Sequence, residues 1–168
     1  MNKDEETIVK EFVNEIRSSL IQADPSLNIA SGYSVPYASF YRFLDEKAPS
    51  VRKYQTDILV FETYQEKQIP RVIVECKIRL NTDDIIAYNE KARKHKNIFP
   101  HLQYGFLLFD NDKGELPWKY HINNSHFDFE LLLPIANITD KQKQLFIDAI
   151  FKQVKISREK ERIIFELK

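Results

Sequence analysis

Residues 55–63 (QTDILVFET) and 71–78 (RVIVECKI) decide the fold. Both are dense in β-branched and aromatic residues and hold no breaker, which predicts two strands. A polar turn around Gln65 to Gln68 links them, so they should pair antiparallel. Yet each run carries ionisable groups. Asp57 opens DILVF, and Glu75 and Lys77 interrupt RVIVECKI. Residues two apart on a strand share a face. Glu75, Lys77 and Ile73 should therefore point one way, and Val72, Val74, Cys76 and Ile78 the other. Charges in a core strand are costly unless they are paired or bind a metal. One lysine cannot neutralise two carboxylates. If Asp57 meets Glu75 across the hairpin, the pocket stays net negative, and a hard divalent cation resolves the conflict.

Outward from this hairpin, residues 5–22 predict a helix, because Ile8, Val9, Phe12, Val13, Ile16 and Leu20 form one apolar stripe. Asn2 or Asp4 would cap it, and Asp24-Pro25 would end it. Leu27, Ile29, Tyr33 and Val35 alternate as a short strand, while Tyr37 to Leu44 is ambiguous between strand and helix. Residues 82–96 predict a helix capped by Thr82, with Asp83 and Asp84 in the first turn and Lys94, His95 and Lys96 in the last. Residues 102–109 (LQYGFLLF) predict a strand. Strand, helix and strand then form a right-handed crossover with parallel strands. Residues 127–133 suggest another strand, 139–155 a helix capped by Thr139, and 162–167 (RIIFEL) a last edge strand. The order is α-β-β-β-α-β plus a C-terminal extension. The expected fold is one α/β domain over residues 1–168, a mixed β-sheet flanked by helices. Its core covers about residues 5–110 and the extension about 111–168.

Composition fits such a domain. Of 168 residues, 43% are apolar and 30% charged, which excludes a disordered chain. Cys76 is the lone cysteine, so no intramolecular disulfide forms, as expected in a reducing compartment. The acidic, amphipathic MNKDEETIVKEF lacks the apolar core of a signal peptide, and no apolar run is long enough to span a bilayer. The expected location is cytoplasmic, with no membrane partner. A net charge of zero counts against a protein that coats nucleic acid, but not against an enzyme whose positive charge is local.

Asp57, seventeen intervening residues and then Glu75-Cys76-Lys77 resemble the D-x(n)-E-x-K signature of PD-(D/E)XK nucleases. The flanking runs are similar to that family's paired core strands, and the elements over about residues 5–110 resemble its restriction-endonuclease-like core. Thr56 stands where the family nominally has proline. The resemblance implies a metal-dependent endonuclease that hydrolyses phosphodiester bonds in DNA, of restriction or DNA-processing type. It implies Mg²⁺, with Mn²⁺ as a substitute, held by Asp57, Glu75 and the backbone carbonyl of Cys76. Glu5 or Glu6 of the first helix would be a further ligand. Lys77 would orient the attacking water, aid its deprotonation or steady the developing charge. Tyr88 and Lys91, three apart on the following helix, would contact phosphate. The implied partners are DNA and a second copy in a homodimer, or a larger restriction or repair complex. Two other functions stay open: a non-catalytic nucleic-acid-binding or assembly module that kept the fold, and a nuclease subunit active only within a complex.

The chain holds a second match to the pattern, Asp148, seventeen residues, then Glu166-Leu167-Lys168. Asp148 lies in a helical pattern and Lys168 is the last residue, so only the first match sits in two adjacent apolar strands. His95, His101, His121 and His126 show no zinc spacing with Cys76. Asp110-Asn111-Asp112-Lys113-Gly114 resembles half a calcium loop without the downstream ligands, and reads as a turn. Tyr33, Tyr37, Phe40, Tyr41 and Phe43 either stack on bases or pack in the core or a lid.

Overall fold

The apolar stripe of the first helix, the two charged strands and the third apolar run meet in one mixed sheet. The structure, a computed structural model, describes residues 4–40, 50–79, 81–109, 125–134 and 138–166. α1 spans Glu5–Ala23 and buries Val9, Phe12, Val13, Ile16 and Leu20. Asp4 caps it by accepting the Thr7 N–H at 2.8 Å. Asn2, the other candidate cap, lies outside the described residues. β1 (Leu27–Phe40), β2 (Ser50–Tyr64) and β3 (Lys67–Lys77) form an antiparallel meander. Gln65 and Glu66 link β2 to β3 with φ of 47° and 63°, the left-handed pair that a two-residue hairpin turn requires. β1 is longer than the short strand expected, and residues 41–44 of the ambiguous stretch are not described.

α2 (Thr82–Ile98) crosses over to β4 (Gln103–Phe109), which runs parallel to β3. Its N-cap is Asn81, not Thr82. Asn81 and Asp84 each accept the other's backbone N–H, and this reciprocal pair puts the cap one residue earlier than expected. β5 (Phe129–Leu133) extends the sheet parallel to β4, giving the order β1-β2-β3-β4-β5.

The last element corrects the expectation of an edge strand over 162–167. α3 runs as one helix over Asp140–Glu166, with Thr139 capping it through the Gln142 N–H. Nothing between the expected helix end and Glu166 breaks it, and residues such as Glu159, Lys160 and Glu161 are good helix formers. Ion pairs clamp its last turns to the sheet. Arg158 joins Asp24 and Glu62, and Glu161 joins the buried Arg71 at 2.6 Å.

Two layers result. On one face α1 and α3 pack Phe12, Val13, Phe146 and Ile150 against Ile58, Val72, Val74 and Cys76. On the other, α2 covers Leu59, Ile73, Tyr104 and Phe106. The strand alternation expected around Glu75 therefore holds. β4 is buried along its whole length, and Gly105 makes room there for the Phe129 ring of β5. A β-carbon at Gly105 would overlap that ring. Gly105→Ala should destabilise the protein by about 1–3 kcal/mol in urea unfolding, and a second change, Phe129→Leu, should recover part of the loss.

Candidate functional site

The β2–β3 ladder runs from Tyr64↔Lys67 to Ile58↔Val74 and stops there. β2 continues alongside β1 instead, where the buried Thr56 donates its hydroxyl to the Tyr33 carbonyl at 3.0 Å. A proline in that position could not make this bond. The two strands thus fork one residue short of Asp57. Asp57 Oδ2 accepts the Cys76 N–H at 2.7 Å, replacing the missing ladder bond. In a strand the N–H and C=O of one residue lie on the same edge, so the Cys76 carbonyl also faces the fork.

Glu75 projects into this end of the sheet and is completely buried. Its Oε1 accepts the Tyr104 hydroxyl at 2.6 Å. Its Oε2 has no hydrogen-bond partner, and the Lys91 ammonium stands 3.8 Å away. The charge of the Asp57 carboxyl also acts on it. Burial, and then the Asp57 charge, push the Glu75 pKa up to about 8, against the pull of Lys91 and Tyr104. Burial and the Glu75 charge also keep the Tyr104 phenol protonated, so it remains a donor.

Lys77 does not pair with Glu75. Its Nζ lies 3.0 Å from Glu5 Oε1, and the other Glu5 oxygen accepts the Ile78 N–H at 3.1 Å. Burial works against the Lys77 charge, but the Glu5 hydrogen bond and the Tyr88 hydroxyl outweigh it and raise its pKa above that of an ordinary lysine. Glu5 thus stands at the site with both oxygens engaged, as the partner of Lys77. Glu6 pairs with Lys10 at 2.6 Å and lines the same cleft, which Glu5, Ser31, Gly32, Gln55 and Asp57 also border.

Asp57, Glu75, the Cys76 backbone, Lys77, Glu5, Tyr88 and Lys91 therefore meet at one end of the sheet. The second sequence match does not converge. Asp148 and Glu166 both lie on α3, eighteen positions apart and so roughly 27 Å along the helix. His95 is buried, contacts the Val35 carbonyl at 3.3 Å and is held neutral, burial lowering its pKa to about 4. His101 contacts the Pro70 carbonyl. His121 and the calcium-like turn lie outside the described residues. Tyr104 is the site residue that sequence reasoning missed. A tyrosine inside the wholly apolar run YGFLLF needs a partner for its hydroxyl, and that was the available signal.

Among the described residues, no three His, Cys, Asp or Glu side chains form a metal-holding group. The expected set offers two carboxylates and a carbonyl. These suit a hard cation in one physical respect: a fully buried carboxylate oxygen lacks a hydrogen-bond donor and feels the charge of a second carboxylate. No model of a known protein family matches the chain, and neither does any curated protein sequence.

Two outcomes follow from the Glu75 environment. Its folded-state pKa lies above the ordinary 4.5, so the folded state binds the extra proton between 4.5 and about 8. This contribution to stability is full below 4.5 and is lost as pH rises through about 8. In EDTA, wild type should lose on the order of a few kcal/mol from this group as pH rises across that window. Glu75→Gln should show a flatter profile in the same urea titrations. Tyr104→Phe should cost about 1–3 kcal/mol at high pH, where Glu75 is charged, and less in acid.

Proposed function

We propose that this chain is a metal-dependent nuclease with a restriction-endonuclease-like core, hydrolysing phosphodiester bonds in DNA. The observation that carries this reading is the Glu75 carboxylate. It is completely buried, beside Asp57, with one oxygen lacking a donor and with the lysine two residues on committed elsewhere. A purely structural ion cluster would pair Glu75 with Lys77. The resemblance of Asp57 and Glu75-Cys76-Lys77 to the PD-(D/E)XK signature supports the same conclusion.

In this proposal Asp57, Glu75 and the Cys76 carbonyl hold Mg²⁺, with Mn²⁺ able to substitute. The ion supplies Lewis acidity and neutralises charge on the scissile phosphate. Tyr104 holds the Glu75 carboxylate by Oε1 and leaves Oε2 without a donor, available to the ion. Glu5 holds Lys77 at the site and keeps it protonated. A lysine this basic is a poor proton acceptor near neutral pH, so Lys77 orients water by donation and steadies developing charge. Lys91 and Tyr88 stand beside it to meet the phosphate. The zero net charge favours one variant of this reading, a subunit that borrows substrate affinity from a larger complex.

Plasmid and oligonucleotide cleavage with Mg²⁺ or Mn²⁺ tests the proposal. Wild type should cut, EDTA should abolish cutting, and Lys77→Ala should reduce the rate by about 10²-fold or more. Mn²⁺ at roughly a hundred times its Kd should also stabilise wild type by about 2.7 kcal/mol, and Asp57→Asn much less. A folded wild type that neither cuts nor gains stability from any divalent ion would sink the reading. Stabilisation without cutting would point to the missing complex.

A further inference from the structure

A row of ammonium groups and tyrosine rings leads away from the fork. Lys77 Nζ lies 5.7 Å from the Tyr88 ring centroid, and Lys91 Nζ lies 4.8 Å from the same ring. Lys91 is also 5.8 Å from the Tyr54 ring. Tyr54 stacks on Tyr37 with centroids 3.8 Å apart and planes inclined by 13°. Lys94 closes the row, 5.4 Å and 5.6 Å from these two rings and 3.1 Å from the Tyr54 hydroxyl. Tyr88, Lys91 and Lys94 are spaced three apart on α2, so they climb one side of it over roughly 9 Å. The Tyr37–Tyr54 pair is supplied by β1 and β2. No residue of the row is fully buried. The Lys91 and Lys94 side chains keep 26% and 32% of their exposure, and Tyr37 and Tyr54 are half-buried.

We infer that this row is a track for single-stranded nucleic acid, carrying an unpaired strand between the fork and the Tyr37–Tyr54 pair. The inference rests on the nuclease reading for where the strand leads, although binding itself can be measured without cutting. The charge on the row favours a polyanion, and Lys94 is held only loosely by its acidic neighbour, Glu90, at 3.6 Å. The rings favour a strand whose bases are unpaired. In a duplex each base face is covered by its neighbours, and a protein reads base edges with free donors and acceptors. Here the Tyr54 hydroxyl already engages Lys94, and the half-buried Tyr37, stacked on Tyr54 by one face, is the ring a base would meet. Rings beside ammonium groups are what sequence-tolerant single-strand binding needs. The other explanation is that the row only stitches α2 to β1. His95 does that work one residue further on, through the Val35 carbonyl and the Tyr54 and Tyr104 rings.

Fluorescence anisotropy in EDTA tests the track, using a short labelled single strand of mixed sequence and the corresponding blunt duplex. Lys94→Gln keeps a group that can hydrogen-bond the Tyr54 hydroxyl but removes the charge. It should weaken single-strand binding, and the slope of log K against log salt should fall by about 0.7. Tyr37→Leu should weaken it about fivefold or more, whereas Tyr37→Phe should bind as wild type does. Duplex affinity should respond less in every case. A salt slope unchanged by Lys94→Gln would overturn the inference, and so would equal losses on single strand and duplex. If Tyr37→Leu does not fold, Lys94→Gln and Tyr37→Phe still decide the matter. Track-dependent binding in a chain that neither cuts nor gains stability with any divalent ion would support the track and sink the nuclease reading. Cutting with single-strand affinity untouched by Lys94→Gln would sink the track alone.

Discussion

The Cys76 amide has no carbonyl to meet, because β2 leaves β3 after Ile58↔Val74, and it donates to Asp57 instead. That substitution of a side chain for a ladder partner shapes the whole end of the sheet. It draws Asp57 inward, toward Glu75, and turns the Cys76 carbonyl to the same opening. It also needs β2 to be held elsewhere, and β1 does this, with the Thr56 hydroxyl bonded to Tyr33 just beyond the fork. On its other edge β3 stays locked to the buried β4 through Glu75↔Phe106 and Lys77↔Leu108. The fork is therefore a gap between two rigid strands, not a frayed end.

What makes the fork electrostatically unusual is the absence of the simplest pairing. Glu75 and Lys77 lie on one face, two residues apart, yet Lys77 turns to Glu5 across 72 positions of sequence. α1 is held for this by packing far from the charges. Phe12 meets Phe146 edge-on at 5.0 Å, and Val13 is sealed between the sheet and α3. α3 thus helps set the position of Glu5, although no residue of that helix belongs to the site. With Lys77 paired to Glu5, Glu75 is left with the distant Lys91 and one phenol, and Asp57 with the Cys76 N–H. Burial and the neighbouring charge then leave Glu75 holding a proton that a cation could replace.

The strands and the charged triad were legible because ionisable residues inside β-branched runs contradict the local pattern, and such contradictions are rarely decorative. The contacts between elements were not. Tyr104 looked like one more apolar residue until the register Ile73↔Tyr104 put its hydroxyl next to Glu75. Asn81 and Thr82 are adjacent capping residues, and only the reciprocal bond to Asp84 selects the first. RIIFEL carries β-branched residues that suggest a strand. The helix through Glu166 depends on continuity with the rest of α3 and on Arg158 and Glu161 reaching Glu62 and Arg71, partners more than eighty residues away. Periodicity reports which face of an element is apolar, but not which charged groups meet across faces.

A zero net charge conceals an uneven distribution of commitment. At the far end of the sheet Arg71, Glu62, Glu161, Arg158 and Asp24 form ion pairs of 2.6–3.0 Å, joining β2, β3, α3 and the end of α1. Those charges are fixed by one another and act as a clamp. On α2, Arg93–Glu90 and Lys96–Asp128 also close to 2.7 Å, but the pairs of Lys91 and Lys94 are longer, 3.8 Å to Glu75 and 3.6 Å to Glu90. A loosely held, partly exposed ammonium gives up little when it exchanges a carboxylate for a phosphate oxygen. The first set puts two arginines against three carboxylates, and the Lys91 and Lys94 pairs put two lysines against two. Their different geometries separate a surface built to hold the fold together from one free to take a new anionic partner.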